Sequence, residues 1–122
     1  MPVSFWCILV AGLLPYAATL IAKSRKDFDN SNPRQWLAHL EGFRARAHAA
    51  QLNSFEAFPF FAAAVLVAHA RGAQQHTVDM LAIAFIVARV LYLAMYVANF
   101  AALRSLAWLI GLICVVSLFL VG

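Results

Sequence analysis

The chain has 122 residues, of which 65% are hydrophobic and only 11% charged, with a formal net charge of +4 and a mean hydropathy of +0.83. Ordinary soluble domains are about 45–50% apolar and about 25% charged, and a globule this small needs polar residues to cover its surface, so a water-soluble fold and a disordered chain are both excluded. The two cysteines, Cys7 and Cys114, lie in apolar runs without metal or redox spacing, which argues against a disulfide framework and a zinc site.

Residues 3–22 form an uncharged run of 20 residues, which crosses about 30 Å of hydrocarbon at 1.5 Å per residue. Met1-Pro2 supplies no basic n-region and further spans follow, so the run reads as a transmembrane helix and not as a cleaved signal peptide. A polar stretch then runs from Lys23 to about Leu40, with Asn30-Ser31-Asn32-Pro33 as a turn and helix-start signal. The second helix is expected over 34–70: it begins polar, with Arg34, Arg44, Arg46 and Gln51, and turns strongly apolar from Phe55 to Ala70. Arg71-Gly72 closes it. A third helix is expected over 78–99, around Arg89, and a fourth over 104–121, with only a few residues between them, so these two are antiparallel neighbours. Helices are the only open-chain structure that satisfies its own backbone in lipid, so the expected fold is all-α, an integral membrane four-helix bundle in one domain, 1–122.

Basic residues orient the spans. Lys23, Arg25, Lys26, Arg34, Arg44, Arg46 and Arg104 fall in the first and third connections, against Arg71 alone in the second. The positive-inside rule therefore puts the first and third connections in the cytoplasm and both termini outside. The net charge is this asymmetry and not a nucleic-acid footprint, and no nucleic-acid partner is expected.

Two groups of polar residues stand out within the spans. On the second helix Arg46, Asn53 and Glu56 fall within about 80° on the helical wheel, while Gln51 points elsewhere. Pro59 removes a backbone donor and frees the carbonyl of Phe55 near Glu56. Glu56 is the most costly residue to leave unpaired, since a charge in lipid is disfavoured by about 2.5–3.5 kcal/mol on the gentlest scale. On the third helix Arg89, Tyr92 and Tyr96 share one face at i, i+3 and i+7, and Glu56 is expected opposite Arg89. Such a pair can serve packing alone. The surplus of donors on these faces, Arg46, Asn53, Tyr92, Tyr96 and Arg104, points instead to an anionic guest. His39, His48, His69 and His76 show no metal-ligand spacing, and no metal site is expected. Trp6, Trp36 and Trp108 read as interfacial belt residues, and Gly12, Gly111 and the many alanines suit close helix contact.

The run Gln51-Leu-Asn53-Ser-Phe-Glu56-Ala-Phe-Pro59, followed by Ala88-Arg89-Val-Leu-Tyr92-Leu-Ala-Met-Tyr96, resembles the MAPEG superfamily, the membrane-associated proteins in eicosanoid and glutathione metabolism. Asn32-Pro33-Arg34 and the run from Arg46 to Pro59 are most similar to its small bacterial branch, which implies a bacterial inner membrane. The resemblance implies a homotrimer with glutathione bound at subunit interfaces near the cytoplasmic face. It also implies a hydrophobic small-molecule or lipid substrate. By position, Arg46, Gln51, Asn53, Glu56, Arg89, Tyr92 and Tyr96 would bind glutathione. Arg104, or Tyr92, would activate its thiol. Ala49 and Ala57 stand where family enzymes often carry arginine and tyrosine, and the step from Tyr96 to Arg104 is one residue longer than in the leukotriene-forming members.

The chemistry has its own arithmetic. A thiol with a pKa of about 8.5 is only a few per cent thiolate at neutral pH. Lowering it by about two units takes roughly 2.7 kcal/mol of selective stabilisation, within the ~1.5–3 kcal/mol of one charge-assisted hydrogen bond. The expected activity is conjugation of the thiolate to hydrophobic electrophiles, or reduction of lipid hydroperoxides, with the substrate arriving between helices one and four. A non-catalytic lipid- or glutathione-binding member is the alternative, kept open by Ala49 and Ala57. A small multidrug exporter is more remote, because such transporters carry a glutamate in helix one and residues 3–22 contain none.

Overall fold

A computed structural model describes residues 1–22 and 42–121. Among these residues four helices follow in order: α1, Val3–Ala22; α2, Gly42–Ala70; α3, Gln75–Val97; and α4, Ala101–Leu120. Each is long and apolar enough to cross a membrane. The polar connection around Asn32-Pro33 and the expected helix start at 34–41 lie outside the described residues. α3 begins at Gln75 where 78 was expected, and α4 at Ala101 where 104 was expected, so Arg104 sits in the first turn of a helix.

Both described connections are short because both helices end in the same hydrogen-bonded stop. After α2, the Gly72 amide donates to the His69 carbonyl and that of Ala73 to the Ala68 carbonyl, each at 3.1 Å. After α3, the Asn99 amide donates to the Tyr96 carbonyl at 3.1 Å and that of Phe100 to the Met95 carbonyl at 2.9 Å. This pattern requires a left-handed residue. Gly72 supplies it at φ 73° and Asn99 at φ 67°, asparagine being the side-chain-bearing residue that tolerates that region best.

The bundle is built inside out relative to a soluble one. Its buried positions are mostly small, with Ala11, Ala18, Ala47, Ala64, Ala82 and Ala88 all at most 4% exposed. Leu13, Leu66, Ile83 and Ile113 face outward. Lipid tails are as apolar as leucine, so association rests on close approach and not on burying large side chains. α1 lies mainly along α2, and α4 along α3. Gly111 of α4 shows that closeness: a Cβ there would meet Arg89, Phe85 and Ala88 at ordinary contact distances of 3.7–3.8 Å. Between α2 and α3 the rings of Phe61 and Phe85 stack with centroids 4.0 Å apart. Cys7 and Cys114 are buried, free thiols within this core.

Three charged side chains close helix ends that belong to other helices. Asp79 Oδ1, in the first turns of α3, accepts the Ser4 amide at the start of α1 at 2.9 Å, and the Gln75 amide group binds the same oxygen. Arg71, in the α2–α3 turn, donates to the Phe119 carbonyl near the end of α4. Arg46 Nε donates to the Val97 carbonyl at the end of α3 at 3.0 Å. In each case the sign is the favourable one, an anion at free N–H groups or a cation at free carbonyls.

Replacing Asp79 by alanine is expected to cost about 1 kcal/mol, the usual worth of such a cap, with Asp79→Asn losing less because it keeps an acceptor. Reversible denaturation in mixed micelles reads both, and two variants as stable as the parent would show that the cap does not hold α1.

Candidate functional site

Arg89 lies on α3 two turns before its end and is 4% exposed. Its Nη2 donates to Asn53 Oδ1 at 2.8 Å and to Ser54 Oγ at 3.3 Å, both on α2. The guanidinium carbon also sits 4.2 Å from the centroid of the Tyr92 ring. Tyr92 is wedged between Ala50 of α2 and Ala107 of α4 and meets Tyr96 edge to face, with centroids 5.6 Å apart. Tyr96 in turn carries the Arg104 guanidinium carbon 4.5 Å above its centroid. Helical periodicity makes this run possible: residues three, four and seven apart on α3 share one face, and the tight turn at Asn99 folds Arg104 back over it.

Two adjoining cavities open along this run, between α2 and α4. One, of about 340 Å³, is lined by Asn53, Tyr92, Tyr96, Arg104, Ser105 and Trp108. The other, of about 240 Å³, holds Glu56 and Arg89 beside the apolar side chains of Phe60, Leu112 and Val115. Asn53 and Trp108 border both, so the two form one groove with a waist. Its polar chemistry is amphoteric: an exposed carboxylate at Glu56, cations at Arg89 and Arg104, an amide and two phenols. A larger cavity of about 450 Å³ between α3 and α4 is lined only by Ala, Val, Leu, Met and Ile and offers a polar ligand nothing.

A model of the MAPEG family matches residues 3–122. The chain belongs to the MAPEG family. Its members are membrane-associated proteins of eicosanoid and glutathione metabolism, and this one is an integral, multi-pass membrane protein by its four apolar helices. No curated protein and no solved structure gives a match.

Of the residues singled out in the sequence of this MAPEG protein, Asn53, Glu56, Arg89, Tyr92, Tyr96 and Arg104 come together in the groove. Arg46 and Gln51 border neither cavity. Arg46 is turned to the end of α3, and Gln51 Oε1 lies 3.3 Å from His48 Nδ1 on its own helix. The ion pair expected between Glu56 and Arg89 is replaced by neutral acceptors: among the described residues Arg89 donates to Asn53 and Ser54, and Glu56 stays exposed in the groove. Three site residues escaped the sequence: Ser54, Ser105 and Trp108. Trp108 was readable, since it follows Arg104 by four residues and must share its face. Ser54 was not, because a buried serine on a helix leaves no pattern. No cluster of metal-ligating side chains occurs among the described residues.

Asn53→Ala is expected to destabilise the fold by about 1.5–3 kcal/mol, the worth of a hydrogen bond to a charged group, and Ser54→Ala, with the longer contact, by about 1 kcal/mol. Denaturation of the purified variants measures both, and equal losses would mean that Arg89 does not lean chiefly on Asn53.

Proposed function

We propose that this protein is a glutathione-dependent membrane transferase or peroxidase that works as a homotrimer and takes hydrophobic electrophiles or lipid hydroperoxides from the bilayer. The observation that carries the reading is the state of the arginines. Among the described residues the side chains of Arg46, Arg71 and Arg89 donate to protein oxygens, whereas Arg104 meets only the ring face of Tyr96. A guanidinium with unspent donors on a groove between membrane helices is the group best suited to hold an anion.

The donor set fits a peptide with a free amine, carboxylates and a thiol. Glu56 suits an ammonium group, Arg89 and Asn53 a carboxylate or amide, and the Tyr92 and Tyr96 hydroxyls further acceptors. Glutathione would supply the nucleophile: its thiol gives its proton to water, the sulfur bonds to carbon and a halide leaves, or two thiols become a disulfide as a hydroperoxide becomes alcohol and water. Arg104, with Tyr92 beside it, stabilises the thiolate by charge-assisted hydrogen bonding. Arg46, through its η nitrogens, and Gln51 are assigned a lesser part in binding, each having another partner. The basic residues of the connections support a cytoplasmic side for this end of the bundle, with both termini outside, and the sequence resemblance supports a bacterial inner membrane.

Self-association has a physical motive. Leu52, Glu56, Pro59, Ala63, Leu66 and Ala70 are exposed on α2 in a 4-3-4-3-4 spacing, a seam of the coiled-coil kind. An uncovered carboxylate within that seam would face lipid at a cost of about 2.5–3.5 kcal/mol, which a second copy or a bound ligand removes. Within one protomer α1 lies on α2 and α3, so substrate access between α1 and α4 would form between copies. Ala57, which borders the groove without a polar group, favours the alternative of a non-catalytic binding protein.

Detergent-purified protein is expected to be trimeric by native mass spectrometry, to bind glutathione in calorimetric titration and to conjugate it to chlorodinitrobenzene. Arg104→Ala should lower turnover about tenfold to a hundredfold, the worth of one charge-assisted hydrogen bond, and leave binding within about threefold. Glu56→Gln should weaken binding. Binding without turnover across several electrophiles supports the non-catalytic alternative, and neither binding nor turnover overturns both readings.

A further inference from the structure

We infer that Tyr96 is a positioning residue, whose ring face, and not its hydroxyl, holds the Arg104 guanidinium at the groove. The inference rests on the function proposed above and adds a device to it.

Arginine is a poor tool while it is loose, because its long side chain has much rotamer freedom to lose. Arg104 begins with little to hold it, lying in the first turn of α4 just after the connection. A carboxylate partner would order it, but would also occupy the donors a ligand needs. The Tyr96 ring orders it differently. At 4.5 Å from the ring centroid the guanidinium is held by the π face, which takes no N–H donor. Among the described residues no protein oxygen accepts from Arg104, so its donors remain for the groove that it borders with Ser105, Tyr92 and Asn53.

The platform is itself held. Tyr96 meets Tyr92 edge to face, Tyr92 is packed by Ala50 and Ala107 and lies under Arg89, and Arg89 is fixed by Asn53 and Ser54. Order passes from a buried hydrogen-bonded cation, through two rings, to a cation without an acceptor among the described residues. Tyr96→Phe keeps every ring contact and removes only the hydroxyl, which makes the ring and the hydroxyl separable.

The test is the titration of protein-bound glutathione, followed by thiolate ultraviolet absorbance and by the pH profile of chlorodinitrobenzene conjugation. The parent and Tyr96→Phe are expected to share one lowered thiol midpoint, whatever Tyr96→Phe does to affinity. Tyr96→Leu should move the midpoint up by about one pH unit, a roughly threefold smaller thiolate fraction at neutrality and about tenfold at pH well below both midpoints, and Tyr96→Met should do the same if the leucine variant does not fold. A lowered midpoint that survives in the ring-less variants, or a phenylalanine variant as impaired as they are, overturns the positioning role and leaves the proposed function standing. A parent protein that binds glutathione without lowering its midpoint, or does not bind it, overturns the positioning role together with the thiol-activating part of that function.

Discussion

Inside the hydrocarbon layer a charged side chain has no water to solvate it, and each one has to be met by another group of the protein. Helix ends impose a related cost, since the first N–H groups and the last carbonyls of every helix have no partner within it. This chain sets the two problems against each other. Asp79 accepts from the start of α1, Arg71 donates to the end of α4 and Arg46 to the end of α3. The links run from α3 to α1, from the α2–α3 turn to α4 and from α2 to α3, so three charged contacts at the rims tie together helices whose flanks offer one another mainly alanine. A bundle with so little large-residue burial needs such ties, because dispersion between small side chains fixes depth and rotation only weakly.

Arg89 is a buried charge that the helix ends do not serve. It lies away from both termini of α3, and its partners are an amide, a hydroxyl and a ring. None of these carries a countercharge, so the Arg89 charge is held by dipoles and a ring, and the groove keeps cation and carboxylate as separate groups. The same economy of acceptors leaves Glu56 exposed. Among the described residues no opposite charge meets Arg89 or Glu56, and a groove with a free cation at one wall and a free anion at the other is poor packing and good recognition.

Much of this fold was legible in the sequence because hydrocarbon thickness is a blunt constraint: four long apolar runs can be little else. The helix starts were less legible. Residue 78 looks like the beginning of α3 because Val78 opens the apolar pattern, yet Gln75, His76 and Thr77 already belong to the helix, and the Asn99 turn carries α4 back to Ala101. The stripe of Asn53 and Glu56, and the face of Arg89, Tyr92 and Tyr96, followed from periodicity alone. What periodicity could not supply was partnership. Arg46 shares the wheel sector of Asn53, but one wheel cannot reveal that the end of another helix lies within its reach. Trp108 read as a belt residue because tryptophan near a span end usually is one, and only the crossing of α4 over α2 and α3 turns it into a wall of the groove.

That wall has a consequence for the way polar and apolar substrates would meet. Trp108 lies one turn, roughly 6 Å, further into α4 than Arg104, and it borders both compartments of the groove. Beyond it the phenols and serine give way to Phe60, Leu112 and Val115, set beside Glu56 and Arg89. On the proposed reading, a molecule entering beside Phe60, Leu112 and Val115 would meet the indole before Arg104, while a peptide held from the other end would meet Arg104 first. Trp108 is half in each environment, and indole suits that place because its body is apolar and its N–H still seeks an acceptor. On that reading the waist between Asn53 and Trp108 is where a thiolate steadied by Arg104 and an electrophile resting on the indole would meet. The geometry of that waist, more than the chemistry at either end, would decide which electrophiles react.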